Sequence, residues 1–174
     1  AISPNQYIEL CGEAGTDTSN WKVKTFAIAG TNVTPDASYT IPAPAEVASE
    51  TNNCGFYVLG KQSVTQRDQT LTSDLPTPGG IHLVRSMGAI EHSICYDTGD
   101  DIDLDVTNND TYRFVYIGLD DSYDDTALRA TGTGSNLADF AQSFEITPYD
   151  YSPGLINVGQ TLVPWSTNVI SDYE

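Results

Sequence analysis

Basic residues are scarce in this chain. Seven Lys and Arg stand against 24 Asp and Glu, a formal charge of -17 over 174 residues. A surface of that sign repels phosphate backbones, so nucleic acid is not expected as a direct partner, whereas divalent cations are compatible with it. Long apolar runs are missing as well. No stretch approaches the ~18 residues of a membrane helix, so no membrane span is expected. Cysteine is limited to Cys11, Cys54 and Cys95. That number excludes a disulfide-rich scaffold and allows one internal bridge at most. Spacing does not say which two would pair, and all three can equally be buried small side chains.

Reactive motifs are also few. His82 and His92 are the only imidazoles; they fall on neighbouring expected strands without metal-ligand spacing to the cysteines, and read as structural. No Gly-x-Ser-x-Gly elbow and no Gly-Lys-Ser or Gly-Lys-Thr phosphate loop occurs, and Gly132-Thr133-Gly134 stands alone. Two of the 24 acids facing each other would suit glycoside cleavage, but a sequence does not show which two face each other. The reading is of a protein that is not an enzyme and requires no cofactor. Ala1 opens the chain without Met and without a basic, apolar leader, which reads as a mature, secreted protein from which a signal peptide was removed.

What is present is β patterning. Short stretches of period-two alternation are bounded by Gly, Pro, Asn and Asp, and no window sustains helical spacing beyond one turn at Leu137 to Gln142. Strands are expected at Gln6 to Cys11, Trp21 to Ile28, Gly55 to Leu59, Ile81 to Arg85, Ala89 to Tyr96, Ile102 to Val106, Arg113 to Ile117, Phe144 to Thr147 and Leu162 to Ile170. Such spacing suits an all-β, two-sheet β-sandwich. Trp21, Phe56, Val58, Ile81, Leu83, Ile90, Ile94 and Tyr96 are the expected filling of the ~10 Å layer between the sheets. Thr31 to Asn53 holds Pro35, Pro42 and Pro44 and reads as a loop or edge segment.

Five patches follow one another in a set order: Tyr7-Ile8-Glu9-Leu10; Trp21-Lys22-Val23 after a polar turn; Gly55-Phe56-Tyr57-Val58-Leu59-Gly60; Ile81-His82-Leu83-Val84; and Ser152-Pro153-Gly154-Leu155-Ile156-Asn157-Val158-Gly159-Gln160. With Ile90 to Tyr96 and Ala127-Leu128-Arg129-Ala130 between them, the series resembles the lamin tail domain. An acidic residue is common in that family where His92 stands. The resemblance implies an immunoglobulin-like sandwich over residues 1–160, used for adhesion or assembly. Because no heptad pattern accompanies it, the filament role of nuclear lamins does not transfer. The freestanding, secreted form of the domain is what it implies.

Two further regions stand out. The first is acidic: Asp97, Asp100, Asp101, Asp103 and Asp105, then Asp120, Asp121, Asp124 and Asp125. Alternation along Asp101 to Val106 sets three carboxylates on one strand face, about 6 to 7 Å apart. Either solvation or a bound Ca²⁺ relieves their repulsion, and an EF-hand is absent. With Tyr116, Tyr123, Tyr149 and Tyr151 as stacking groups, the region is a candidate for calcium-dependent carbohydrate or surface-ligand binding. The second is the tail, residues 161–174, where Val163, Trp165, Thr167 and Val169 form an apolar stripe. A strand there pairs with its own sheet or with the edge of another copy, and unclosed exchange between copies propagates a filament. Asn32-Val33-Thr34 and Asn109-Asp110-Thr111 meet the N-glycosylation pattern at Asn32 and Asn109.

Overall fold

Two short turns fix how the first strands are laid down. After β1 (Tyr7–Glu13), the chain reaches Thr18-Ser19-Asn20-Trp21, closed by the Trp21 amide donating to Thr18 O at 3.1 Å. Asn20 takes φ of 63°, a left-handed conformation that Asn tolerates better than most residues. β2 (Lys22–Ala29) and β3 (Asn32–Thr40) then form a hairpin whose loop is only Gly30-Thr31. Gly30 has φ of 59°, which suits the first central position of a type II′ turn, the kind that matches strand twist. The computed structural model describes residues 6–13, 15–43, 54–96, 102–105, 111–116, 126–130 and 144–148.

The remaining strands are β4 (Cys54–Gly60), β5 (Gln69–Thr70), β6 (Gly79–Val84), β7 (Ile90–Tyr96), β8 (Ile102–Asp105), β9 (Thr111–Tyr116), β10 (Thr126–Ala130) and β11 (Phe144–Pro148). The described residues contain no helix. They form a three-stranded sheet in the order β1-β4-β5 and a six-stranded sheet in the order β3-β2-β6-β7-β9-β8, with β10 and β11 paired separately. Ile8 and Leu59 of the smaller sheet meet Val23, Tyr39 and Leu83 of the larger one, together with Leu71, in one buried cluster. This is the expected two-sheet β-sandwich.

Polar ties reinforce the apolar layer. Ser73 N–H donates to Tyr39 Oη at 3.1 Å, Gln69 Nε2 donates to Thr40 O at 3.2 Å, and Leu75 N–H donates to Gln6 Oε1 at 2.9 Å. Asp68 takes both backbone groups of Val58: Val58 N–H donates to its Oδ2 at 2.7 Å, and Asp68 N–H donates to Val58 O at 2.8 Å. A two-residue strand such as β5 is held by these bonds rather than by its ladder.

The core departs from the expected list in two ways. Phe56 and Val58 are buried, but alternation from Leu59, which stands opposite Ile8, places them on the other face of β4. Both faces of β4 are therefore covered, and its apolar run is continuous for that reason. Leu59 and Tyr57 take the inward positions instead. Ile90 was expected inside and is 51% exposed. It lies beside the hairpin tip, past a register shift at Leu83/Val84. That shift adds a residue to β7 and moves Ile90 off the covered surface.

Of the 31–53 segment, residues 31–43 are described, and they contain an edge strand. That strand is β3, at the rim of the six-stranded sheet. The pairing with β2 shifts between Thr25 and Phe26, leaving Asp36 as the extra residue of a bulge next to Pro35. Proline lacks an N–H, so it fits an edge strand at a bulge and nowhere deeper in a sheet.

Candidate functional site

The histidines occupy adjacent strands, as expected, but opposite faces. His82 pairs in register with Ser93, and Leu83 with His92. His82 is 2% exposed, and its ring lies 4.6 Å from that of Phe26 at a tilt of 55°. Burial pushes its pKa down to about 4, with the Lys24 charge acting in the same direction. Burial likewise lowers the pKa of His92. Both rings are thus neutral near pH 7, and they do not converge on one point in space.

Cys95 is a fully buried residue packed with Phe26 and Ile28 on the second covered face of the larger sheet. Tyr96, on the opposite face, holds its hydroxyl buried, and its ring lies against the backbone of Gly79. Burial raises that phenol well above its ordinary pKa. These side chains fill the interior of the sheet.

The acidic region is placed only in part. Asp103 and Asp105 lie in β8, the edge strand opposite β3 in the larger sheet. In register Asp103 stands across from Arg113 and Asp105 across from Thr111. By alternation Asp103 and Asp105 share one strand face, and the residue in register with Asp103 is of opposite charge. Asp97, Asp100, Asp101, Asp120, Asp121 and Asp124 lie outside the described residues. Among the described residues no three His, Cys, Asp or Glu side chains come together as a metal-holding group. Tyr116 is in β9, in register with Cys95.

Asn32 is exposed at the first position of β3, directly after the Gly30-Thr31 turn, an open position for an attached sugar. Asn109, Val163, Trp165 and Val169 lie outside the described residues.

The tip of the β6–β7 hairpin went unnoticed in the sequence. Its three-residue loop, Ser86-Met87-Gly88, is closed by Gly88 N–H donating to Arg85 O at 2.9 Å and Arg85 N–H donating to Ala89 O at 2.8 Å. Gly88 has φ of 95°, as three-residue hairpins require at their last position. Met87 is 96% exposed there. At its base Arg85 Nε donates to Glu91 Oε2 at 2.5 Å, and the guanidinium carbon lies 5.7 Å from the Trp21 ring centroid. The Ser-Met-Gly turn was the available signal.

No protein-family model matches the chain, and neither the curated proteins nor the solved structures contain a significant match to it. The class of protein rests on the geometry above: an all-β sandwich of two sheets, with the ring of His82 packed against Phe26 in its interior.

Proposed function

We propose that this chain is a non-enzymatic, extracellular structural or adhesive protein of lamin-tail-like architecture. It assembles with further copies of itself through the terminal segment at 161–174. The observation that carries this reading is the shared core of the ordered patches. Ile8 from the first, Val23 from the second, Leu59 from the third and Leu83 from the fourth meet in one buried cluster, with Trp21 and Ile81 packed against it. Four of the five ordered patches thus contribute to one core, which supports the reading; the fifth, Ser152 to Gln160, lies outside the described residues. The blocked β3 rim, with Pro35 and the Asp36 bulge, directs any strand exchange to another edge.

Negative-stain microscopy of the full chain beside one lacking 161–174 tests this reading. Fibres or defined oligomers that vanish with the truncation, while the β circular dichroism is retained, support it. Equal assembly of the two chains removes the terminal stripe from the account.

A second reading is a calcium-dependent module for carbohydrate or another surface ligand. It is favoured by the shared face of Asp103 and Asp105 on an edge strand. Titration calorimetry with Ca²⁺ tests it, and absence of heat at millimolar metal eliminates it.

A further inference from the structure

The three cysteines are not equivalent in the fold. Cys95 is fully buried in the six-stranded sheet, among Phe26 and Ile28. Cys11 and Cys54 belong to the other sheet, on two strands that pair directly: Cys11 stands opposite Phe56, and Cys54 opposite Glu13. They are therefore two residues apart along the ladder and on the same face, since residues opposite each other share a face and so do residues two apart.

Their hydrogen-bonding phase is also defined. Lys61 N–H donates to Gln6 O at 2.9 Å, and both backbone groups of Val58 are turned away from β1 toward Asp68. Alternation from either point makes Cys11↔Phe56 and Glu13↔Cys54 non-hydrogen-bonded pairs, the kind in which opposing Cα atoms come nearest, at ~4.5 Å. Diagonal neighbours on one face are ordinarily about 7 to 8 Å apart, slightly more than a disulfide spans. Right-handed strand twist lengthens one diagonal and shortens the other. At non-hydrogen-bonded positions the shortened one joins the residue farther from the connecting loop on the first strand to the one nearer it on the second. Cys11 and Cys54 lie on that diagonal. Between them sits the pair Gly12↔Gly55, whose lack of side chains permits the added twist that brings the two strands into bridging range.

We propose that Cys11 and Cys54 form a disulfide that clasps β1 to β4, leaving Cys95 as a thiol. In an oxidising exterior the step is thiol–disulfide exchange with a small-molecule disulfide. The Cys11 and Cys54 sulfurs bond to each other, the S–S bond of the oxidant breaks, and its two sulfurs leave as thiols carrying the two electrons and two protons. The clasp closes the long loop between β1 and β4, which contains Thr31 to Asn53, and so restricts the unfolded chain.

Peptide mapping tests the assignment without reference to assembly. The folded protein is equilibrated with oxidised glutathione, denatured, alkylated without reductant and digested. The expected result is a cross-linked peptide pair containing Cys11 and Cys54, with alkylation confined to Cys95. The thermal midpoint then falls on reduction, by on the order of 10 °C, and does so in Cys95→Ser as in the parent chain. Alkylation of all three cysteines, stable glutathione adducts on Cys11 and Cys54, or a bridge to Cys95 would each overturn the proposal. Because the map is read on the unsubstituted chain, it does not depend on any variant folding.

Discussion

The hydroxyl of Thr25 donates to Asp36 Oδ2 at 2.9 Å and accepts from Ala37 N–H at 3.1 Å, across the bulge that interrupts the β2–β3 ladder. Where the extra residue displaces a ladder bond, a buried side chain takes its place, and Thr25 is only 1% exposed. Bulges leave backbone groups to be satisfied by other means.

Thr25→Val retains the shape and removes both bonds. It is expected to destabilise the protein by about 1 to 3 kcal/mol, because the Ala37 N–H loses its partner. Chemical denaturation measures this, with the midpoint shifting at constant slope.

Glycine substitutions separate space from backbone conformation. A Cβ at Gly79 would collide with the backbone carbonyl of Pro76 and with the Tyr96 ring, whereas one at Gly15, where φ is 83°, meets nothing. Gly79→Ala is therefore expected to cost roughly 3 kcal/mol by overpacking. Gly15→Ala should cost only about 1 kcal/mol, from the left-handed backbone. Thermal denaturation of both variants checks the order.

Val58 tests whether β4 is covered on its second face. It is 1% exposed, so Val58→Thr puts a hydroxyl into an apolar setting and should cost about 1 to 3 kcal/mol. If that face met water, the substitution would be neutral in the same denaturation experiment.

The pH dependence follows from His82, whose pKa in the fold is about 4 against roughly 6.5 unfolded. A depressed value means that the unfolded chain binds the proton first. Stability is complete above pH ~6.5, declines as pH falls, and levels off near the folded value, for a loss of up to about 3 kcal/mol. His92, lowered by burial, adds in the same direction. Denaturation midpoints between neutral pH and pH 4 should show this decline, and His82→Leu should flatten it.

Most of the sandwich was legible because its strands carry period-two alternation between Gly and Pro boundaries. β1, β2, β6 and β7 were all expected within a few residues of their observed bounds. β4 was also expected, but the faces of Phe56 and Val58 were not. A strand covered on both sides reads as an unbroken apolar run, which carries no information about which parity points inward. β3 was hidden by Pro35, whose tolerance depends on the edge position and the bulge, both of them tertiary facts. β5 has two residues, too few for any periodicity, and is fixed by Asp68. In the acidic segment, alternation put Asp103 and Asp105 on one face. That Arg113 stands across from Asp103 is a matter of register, and one strand's sequence does not specify its partner's. Cys11 and Cys54 gave no pairing signal for the same reason.

The proposed joining of copies through the stripe containing Val163, Trp165 and Val169 is open to sedimentation velocity over a concentration series, for the full chain and for Trp165→Ser. The full chain should shift to faster species as concentration rises, while the variant stays monomeric with unchanged β circular dichroism. A full chain that sediments as a monomer throughout, or a variant that assembles equally well, would contradict it.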